Sequence, residues 1–170
     1  MQCWISQCRI DIVYLVFSFP VLRFSFLFYG NENTSRRVSE ETQRLRNPRV
    51  KMMGPFLPED KEKIYGESAL VFYCYGNKRP LVLHAISNKH YDGALYRVPV
   101  LNSPGTIMDE LAGPFGYALD LDVIDSLDDL YEWYMNLDEV AFEKYAESVI
   151  SEAVKENSAT DKAIISAVLS

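Results

Sequence analysis

The sequence predicts an α/β fold: a Rossmann-like, doubly wound parallel sheet with helices on both faces and further helices at the C-terminus. The first observation is a series of continuous apolar runs of strand length, such as ALVFYCYG at residues 69–76. The second is that helical patterns of about 8 to 15 residues separate these runs. Strands that are apolar throughout are typical of a parallel sheet covered on both faces. The length of 170 residues suits one domain.

Strands and helices alternate along the chain. An aromatic run at residues 23–30 predicts the first strand, which ends in a turn at Gly30. The helix that follows can be capped by Thr34 or Ser35, and Pro48 stops it. The later elements are predicted as a strand at 49–56, a helix at 57–68, a strand at 69–76, a loop at 77–88, a helix at 89–96, a strand at 98–103, a helix at 106–113 and a strand at 116–121.

Three segments are expected on this basis. Residues 1–22 form an atypical apolar N-terminal segment, and residues 23–125 form the Rossmann-like domain. Residues 126–170 form helices that pack on the same domain, with Ser126 and Asp129 capping one helix and Asp138 capping the other.

The N-terminal segment does not fit a membrane span. Its apolar core at residues 12–22 contains a proline and is shorter than the roughly 20 residues that a spanning helix needs. No small-residue cleavage site of a signal peptide follows it. Two buried strands, or a segment that has lost its proper context, are therefore favoured over a membrane or export role.

Composition and motifs exclude several classes of function. The net charge of −7 and pI near 4.9 argue against broad nucleic-acid binding, which needs a basic surface. The three cysteines form neither a metal spacing nor a disulfide framework, so a reducing compartment is expected and Cys74 is predicted to be a buried thiol. There is no GxGxxG, no Walker lysine loop and no nucleophile elbow. The acidic run at residues 109–147 is interpreted as a solvated helical face, not a metal site.

The stretch SNKHYDGALYRVPVLNSPGT at residues 87–106 is the main candidate site. Ser87 and Asn88 can cap a helix beginning at Lys89, so that backbone amides and a lysine favour an anion there. Asp92, one turn later, suits a pair of sugar hydroxyls. The amides of the next turn, at residues 105–106, would complete a nucleotide-diphosphate site. Spacing alone leaves an alternative open, a capped helix with a surface lysine and aspartate.

The same stretch resembles a known family. Asn88, Lys89, Tyr91 and Asp92, followed by Pro99-Val100 and then Gly105, Thr106 and Glu110, are similar to the donor-binding half of retaining glycosyltransferases with two Rossmann-like domains, known as glycosyl transferase group 1. The resemblance covers roughly residues 24–122. It is nearest to the branch that makes capsular and other bacterial surface polysaccharides.

The resemblance implies roles for individual residues. Asp92 stands where the family binds the nucleotide ribose, and Asn88, Lys89 and Tyr91 belong to the donor-binding helix that faces the diphosphate or the donor sugar. Gly105 and Thr106 correspond to the phosphate turn, which Glu110 supports. Gly30 corresponds to the glycine turn after the first strand, and the segment at residues 56–58 to the neighbourhood of the base.

Two positions depart from the family pattern. His84 occupies the place of an acid that contacts the donor sugar, so His84 and Lys89 are the catalytic candidates that the resemblance supplies. Arg97 replaces a small residue, commonly glycine, and either lies at the surface or reaches the phosphates.

The implied function is transfer of a hexosyl group from a UDP- or GDP-linked sugar to a glycan or lipid-linked acceptor. It implies no metal and no cofactor other than this donor substrate, and a cytoplasmic location, with peripheral attachment to the inner face of the membrane as an alternative. The family's acceptor domain has no counterpart here, so we expect a truncated product or a half that pairs with a separate acceptor-domain chain. The alternatives are a non-catalytic remnant or interaction module, and a generic Rossmann-like epimerase or dehydrogenase, which the missing GxGxxG disfavours.

Overall fold

A computed structural model provides the structure of the protein. It describes residues 2–5, 25–30, 36, 39–40, 42–44, 46, 48–120, 122–123 and 129–169, and for 2–5 and 163–169 the backbone alone. Six parallel strands form one sheet in the order β3-β2-β1-β4-β5-β6. They are β1 Gln2–Ile5, β2 Ser25–Tyr29, β3 Val50–Gly54, β4 Leu70–Tyr73, β5 Val100–Asn102 and β6 Gly116–Ala118. The predicted fold class is therefore confirmed, with the strand order of doubly wound dinucleotide-binding sheets.

Helices connect the strands and continue beyond the sheet. Residues 36, 39–40 and 42–44 are helical, within the predicted helix between β2 and β3. The later helices are α1 Lys61–Gly66, α2 Pro80–His84, α3 Asn88–Leu95, α4 Ile107–Ala112, α5 Leu130–Met135 and α6 Glu139–Leu169. Short 3-10 turns at Pro58–Asp60 and Gly113–Phe115 precede α1 and β6.

Strand β4 is buried on both faces of the sheet, as its continuous apolar run predicts. Every residue of β4 is buried. Because side chains alternate along a strand, Leu70 and Phe72 belong to one hydrophobic cluster and Val71 belongs to another. The first cluster includes Leu130 of α5, and the second includes Ile64 of α1. Helices therefore cover each face with apolar side chains.

The long helix α6 packs against α3 outside the sheet. Asp138 caps it, since its carboxylate accepts the Ala141 N–H at 2.9 Å, as the sequence predicts. Tyr145 contacts the rings of Phe115 and Phe142, and its hydroxyl donates to the Leu111 carbonyl. Burial raises the pKa of Tyr145 to about 12, so this hydroxyl keeps its proton at any physiological pH.

Arg97 links α3 to α6. Its backbone is left-handed, with φ of 60°, a conformation that glycine adopts most easily. Its guanidinium donates to Glu143 at 2.7 Å and to the Ala94 carbonyl. Of the two alternatives for this residue, the structure supports the surface position.

The structure differs from the sequence predictions at two elements. Gln2–Ile5 lies in the centre of the sheet, between β2 and β4, so the sheet includes residues of the segment at 1–22 that the sequence analysis describes as atypical. Residues 80–84 form a helix where a loop was predicted. The remainder of the turn after Gly30, the proposed caps at Thr34 or Ser35 and at Ser126, and the residues 12–22 lie outside the described residues.

The part of the chain that the structure describes contains no helix that is long and apolar enough to cross a membrane. Cys74 is buried in the core, as predicted.

Gly116 begins β6 at a position with no space for a side chain. A Cβ added there would lie 2.5 Å from the Ala112 Cβ and 2.8 Å from the Asn102 Oδ1. We expect Gly116→Ala to lower the free energy of unfolding by about 1–3 kcal/mol, the usual cost of overpacking. Urea denaturation followed by circular dichroism measures this. Gly66→Ala is the control, because its added Cβ meets nothing within 4 Å; equal stability of both variants would contradict the prediction.

Candidate functional site

The site lies at the carboxyl edge of the sheet. In the strand order observed here, the order reverses between β1 and β4, and doubly wound sheets bind ligands beyond the carboxyl ends of the strands at such a point. Since the helices follow parallel strands, the N-termini of α1, α3 and α4 meet this edge. Several of the predicted site residues are in their first turns.

Helix α3 has Ser87 as its cap, one of the two predicted caps, and begins at Asn88, one residue before the predicted start. The Ser87 hydroxyl accepts the Lys89 N–H at 3.2 Å, the usual N-cap interaction. Asn88 is the first helical residue and its side chain is exposed. The start of this helix therefore places a positive dipole end at the sheet edge, while the N–H groups of Lys89 and His90 are paired with Ser87.

Asp92 lies where α3 meets α1. Its Oδ2 accepts a hydrogen bond from Lys61 Nζ at 2.7 Å and another from Tyr65 Oη at 3.2 Å. The Asp92 side chain is 17% exposed and that of Lys61 is 30% exposed. Tyr65 is fully buried and stacks on Tyr96 at 4.8 Å between ring centroids. A rigid tyrosine thus holds one oxygen of a carboxylate that solvent still reaches.

Burial and the neighbouring carboxylate both favour the neutral form of Tyr65. Burial is the larger cause, and the charge and hydrogen bond of Asp92 add to it, so the pKa of Tyr65 lies far above its usual value of 10. The Tyr65 hydroxyl is consequently a permanent donor to Asp92.

Lys89 is buried at the end of β4. Its Nζ donates to the Phe72 carbonyl at 3.0 Å and lies 5.9 Å and 5.7 Å from the ring centroids of Tyr73 and Tyr75. The lysine charge is held next to the point where the strand order reverses, by a carbonyl dipole and two aromatic faces. Direct contact of Lys89 with donor phosphates stays a prediction.

Asp109, which is not among the predicted site residues, organises the turn before α4. Asp109 accepts Gly105 N–H at 2.9 Å and Asn102 Nδ2 at 2.9 Å, while Thr106 caps the helix. The Gly105 amide is therefore already paired with a carboxylate, which differs from the free amide that was predicted. Glu110 is exposed, and the support of the turn that was assigned to it comes from Asp109. The spacing of Thr106 and Asp109, three residues apart, could have indicated this.

The loops after β4 and β5 are joined at this edge. Gly76 N–H donates to Ser103 Oγ at 2.9 Å, and Asn77 Nδ2 donates to the Pro104 carbonyl at 3.1 Å. Ser103 is itself buried, and its carbonyl accepts the Thr106 hydroxyl at 2.8 Å. These bonds fix the two loops that flank the start of α3 to each other.

The other predicted site residues are His84, Tyr91 and Gly30. His84 is exposed at the end of α2, and Tyr91 is half-buried with its ring against that of His90. Gly30 follows β2, and its N–H donates to the Gly54 carbonyl at 2.9 Å. With β1 between β2 and β4, Gly30 is about 10 Å across the sheet from the β4 end. Gly30 is therefore two strands away from the end of β4, across the sheet.

The segment expected near the base precedes α1. Phe56 is half-buried, with its ring edge-on to Tyr29 at 6.0 Å. Leu57 is 65% exposed, and its N–H is held by the Asp60 carboxylate at 2.8 Å. An ordered apolar surface thus adjoins the helix that carries Lys61. In the described parts of the chain, no group of three or more His, Cys, Asp or Glu side chains could hold a metal ion.

His90 is a titratable residue of α3, buried where α3 packs against α6. It is 5% exposed, and burial lowers its pKa below the ordinary value of 6.5. The folded protein therefore keeps His90 neutral over a pH range in which the unfolded chain protonates it.

We accordingly expect the free energy of unfolding to fall as the pH drops below about 6.5. Urea titrations at pH 7.5 and 5.5 measure the loss, and His90→Phe is expected to make the difference between the two pH values smaller. His84→Gln, which removes an exposed histidine instead, is expected to keep the wild-type difference. An unchanged pH difference in His90→Phe would show that other groups cause the effect.

No family model matches this chain, and no curated protein sequence matches it. Solved structures do match it in fold. A glycosyltransferase from Rickettsia africae superposes with a TM-score of 0.62 at 13% identity, over 91% of this chain and 42% of that one. Anabaena HepE in complex with UDP and glucose gives 0.60 at 12% identity, over 93% of this chain and 48% of that one.

A different class of enzyme is similar to the same extent. The UDP-GlcNAc 2-epimerase of Methanocaldococcus jannaschii gives a TM-score of 0.60 at 14% identity, over 91% of this chain and 45% of that one. The chain thus spans somewhat less than half the length of these three structures. At such low identity the similarity establishes the fold, that of one half of a two-domain glycosyltransferase architecture.

Proposed function

We propose that the chain is the donor-binding half of a glycosyltransferase that uses a nucleotide-diphosphate sugar. The observation that carries the proposal is Asp92, a solvent-accessible carboxylate held at the carboxyl edge of a sheet with this fold. A carboxylate in this position suits ribose hydroxyls, as in other nucleotide-binding sheets. The HepE structure, solved with UDP and glucose, is consistent with such a ligand on this fold.

In the proposed reaction the bond from the sugar C1 to the diphosphate oxygen breaks, and a bond from C1 to an acceptor hydroxyl oxygen forms. The acceptor hydroxyl loses its proton, and the nucleoside diphosphate leaves with the bonding electron pair. The positive dipole end of α3 and the charge of Lys89 lower the energy of this developing anion, the kind of electrostatic stabilisation that dominates such transfers. Asn88 and His84, both exposed near this edge, are proposed to face the donor sugar.

The acceptor in this proposal is a glycan or a lipid-linked sugar of polysaccharide biosynthesis. A second domain of similar size would bind it, and the reaction would take place in the cleft between the two domains. We propose a cytoplasmic location, with attachment to the inner face of the membrane where the acceptor is lipid-linked.

Epimerisation of a nucleotide sugar is the second candidate, because the M. jannaschii epimerase shares the fold to the same extent. Both candidates require the same nucleotide-sugar site. They differ in whether an acceptor is needed.

Calorimetric titration tests the shared requirement. The purified chain is titrated with UDP, GDP and their hexose conjugates in low salt, with and without magnesium. Saturable binding of one nucleotide and its conjugates supports the donor site and identifies the base. A chain that is folded by circular dichroism but binds none of them would instead support a non-catalytic remnant. Conversion of the bound donor to an epimer without any acceptor would favour the second candidate.

A further inference from the structure

Lys61 and Asp92 form a charged pair that solvent can reach. Both Lys61 Nζ and Tyr65 Oη donate to the same carboxylate oxygen, Oδ2. Within the described part of the chain, Asp92 Oδ1 makes no hydrogen bond. Tyr65 is buried, whereas the side chains of Lys61 and Asp92 are 30% and 17% exposed. Tyr65 therefore fixes the carboxylate from the protein side and leaves the other two groups facing outward.

The pair offers complementary hydrogen-bonding groups side by side. An ammonium group has three donor protons, and Asp92 uses one of those on Lys61. A carboxylate accepts at both oxygens, and Oδ1 is the one that remains. One hydroxyl of a vicinal diol can donate to Oδ1 while the neighbouring hydroxyl oxygen accepts from Lys61. Because Oδ2 already accepts from Lys61 and Tyr65, Asp92 without Lys61 as a second contact would hold only the hydroxyl that donates to Oδ1.

We infer that Lys61 is a ribose-recognition residue, which together with Asp92 binds the 2′,3′-diol of the donor nucleotide. This inference rests on the proposed nucleotide-sugar site and adds to it a second contact residue and a preference for ribonucleotides. The position of Lys61 agrees with this role. It is the first residue of α1, directly after the 3-10 turn and the exposed Leu57 that adjoin the expected base.

A purely structural role of the Lys61–Asp92 pair predicts a different result. A partly exposed pair contributes little to stability. If its loss disturbed the site at all, it would weaken the binding of every nucleotide by the same factor. A residue that contacts the diol changes the ratio of affinities for nucleotides with and without that diol. The ratio therefore separates the two roles.

The experiment is calorimetric titration of wild type, Lys61→Met, Lys61→Arg and Lys63→Met with UDP or GDP, whichever the wild type binds, and with its 2′-deoxy and 3′-deoxy analogues. Lys63 is exposed on the same helix, so Lys63→Met matches the loss of charge without removing the contact. Circular dichroism and urea denaturation establish that each variant is folded.

We expect the wild type and Lys63→Met to prefer the ribonucleotide about tenfold or more over at least one deoxy analogue. Lys61→Met should lose most of this preference, by weakening ribonucleotide binding with little effect on the deoxy analogue, and Lys61→Arg should restore part of it. If the wild type binds a nucleotide and Lys61→Met keeps the full preference, the role of Lys61 is overturned while the donor site stands. If the wild type binds no nucleotide, both are overturned.

Discussion

Asp92→Asn is expected to weaken nucleotide binding at least about tenfold. The substitution keeps the size of the side chain and an oxygen that Lys61 and Tyr65 can still contact, so the junction of α1 and α3 should persist. It removes the negative charge that strengthens a hydrogen bond to ribose. Hydrogen bonds to charged groups contribute about 1.5–3 kcal/mol, and about 1.4 kcal/mol corresponds to a factor of ten in affinity. Calorimetry with the preferred nucleotide measures the change.

The control for Asp92→Asn is Glu62→Gln, an equal loss of charge at an exposed position of α1. It should leave the affinity within about twofold of wild type, because a solvated charge outside the site contributes little. Equal affinity of Asp92→Asn and wild type would remove the ribose assignment, and with it the observation on which the proposed function depends.

Leu130→Ala is expected to cause the largest loss of stability among the changes considered. Leu130 is 1% exposed and belongs to the hydrophobic cluster that includes Phe72 and Leu101 of the sheet. Removing a buried leucine side chain costs about 2–5 kcal/mol, from lost burial and from the cavity that remains. Urea denaturation gives the change in unfolding free energy.

The same experiment tests whether the C-terminal helices belong to the domain. Met135→Ala, on the same helix but 59% exposed, should lower stability by less than about 1 kcal/mol. If Leu130→Ala costs no more than Met135→Ala, then α5 does not cover the sheet in solution.

The sequence predicted those strands that have a strong local signal. The apolar runs of β2, β4 and β5 stand between turns and helical patterns, so their type and order could be predicted. Strand β1 could not, because Gln2–Ile5 becomes a strand by pairing with β2 and β4, which are distant in sequence. The sequence predicts a loop over the five residues of α2, because such a short helix has no periodic pattern.

The site shows the same division between local and distant information. The cap at Ser87 and the buried thiol of Cys74 follow from neighbouring residues and were predicted. The partners of Asp92 were not, since Lys61 and Tyr65 lie 31 and 27 residues away and their contact depends on how two helices pack. Predicting it would have required the angle between α1 and α3, which no short stretch of sequence specifies.

The hydrogen bonds that join the loops after β4 and β5 bear on the thermodynamics of ligand entry. Gly76 and Asn77 are tied to Ser103 and Pro104 by hydrogen bonds within the protein itself. Ordering a mobile loop upon binding would cost conformational entropy for each residue fixed, and this cost is met here during folding. The two loops are therefore preorganised for binding. A ligand that matches its shape keeps more of its interaction energy as affinity, and one that does not match cannot be accommodated by moving either loop alone.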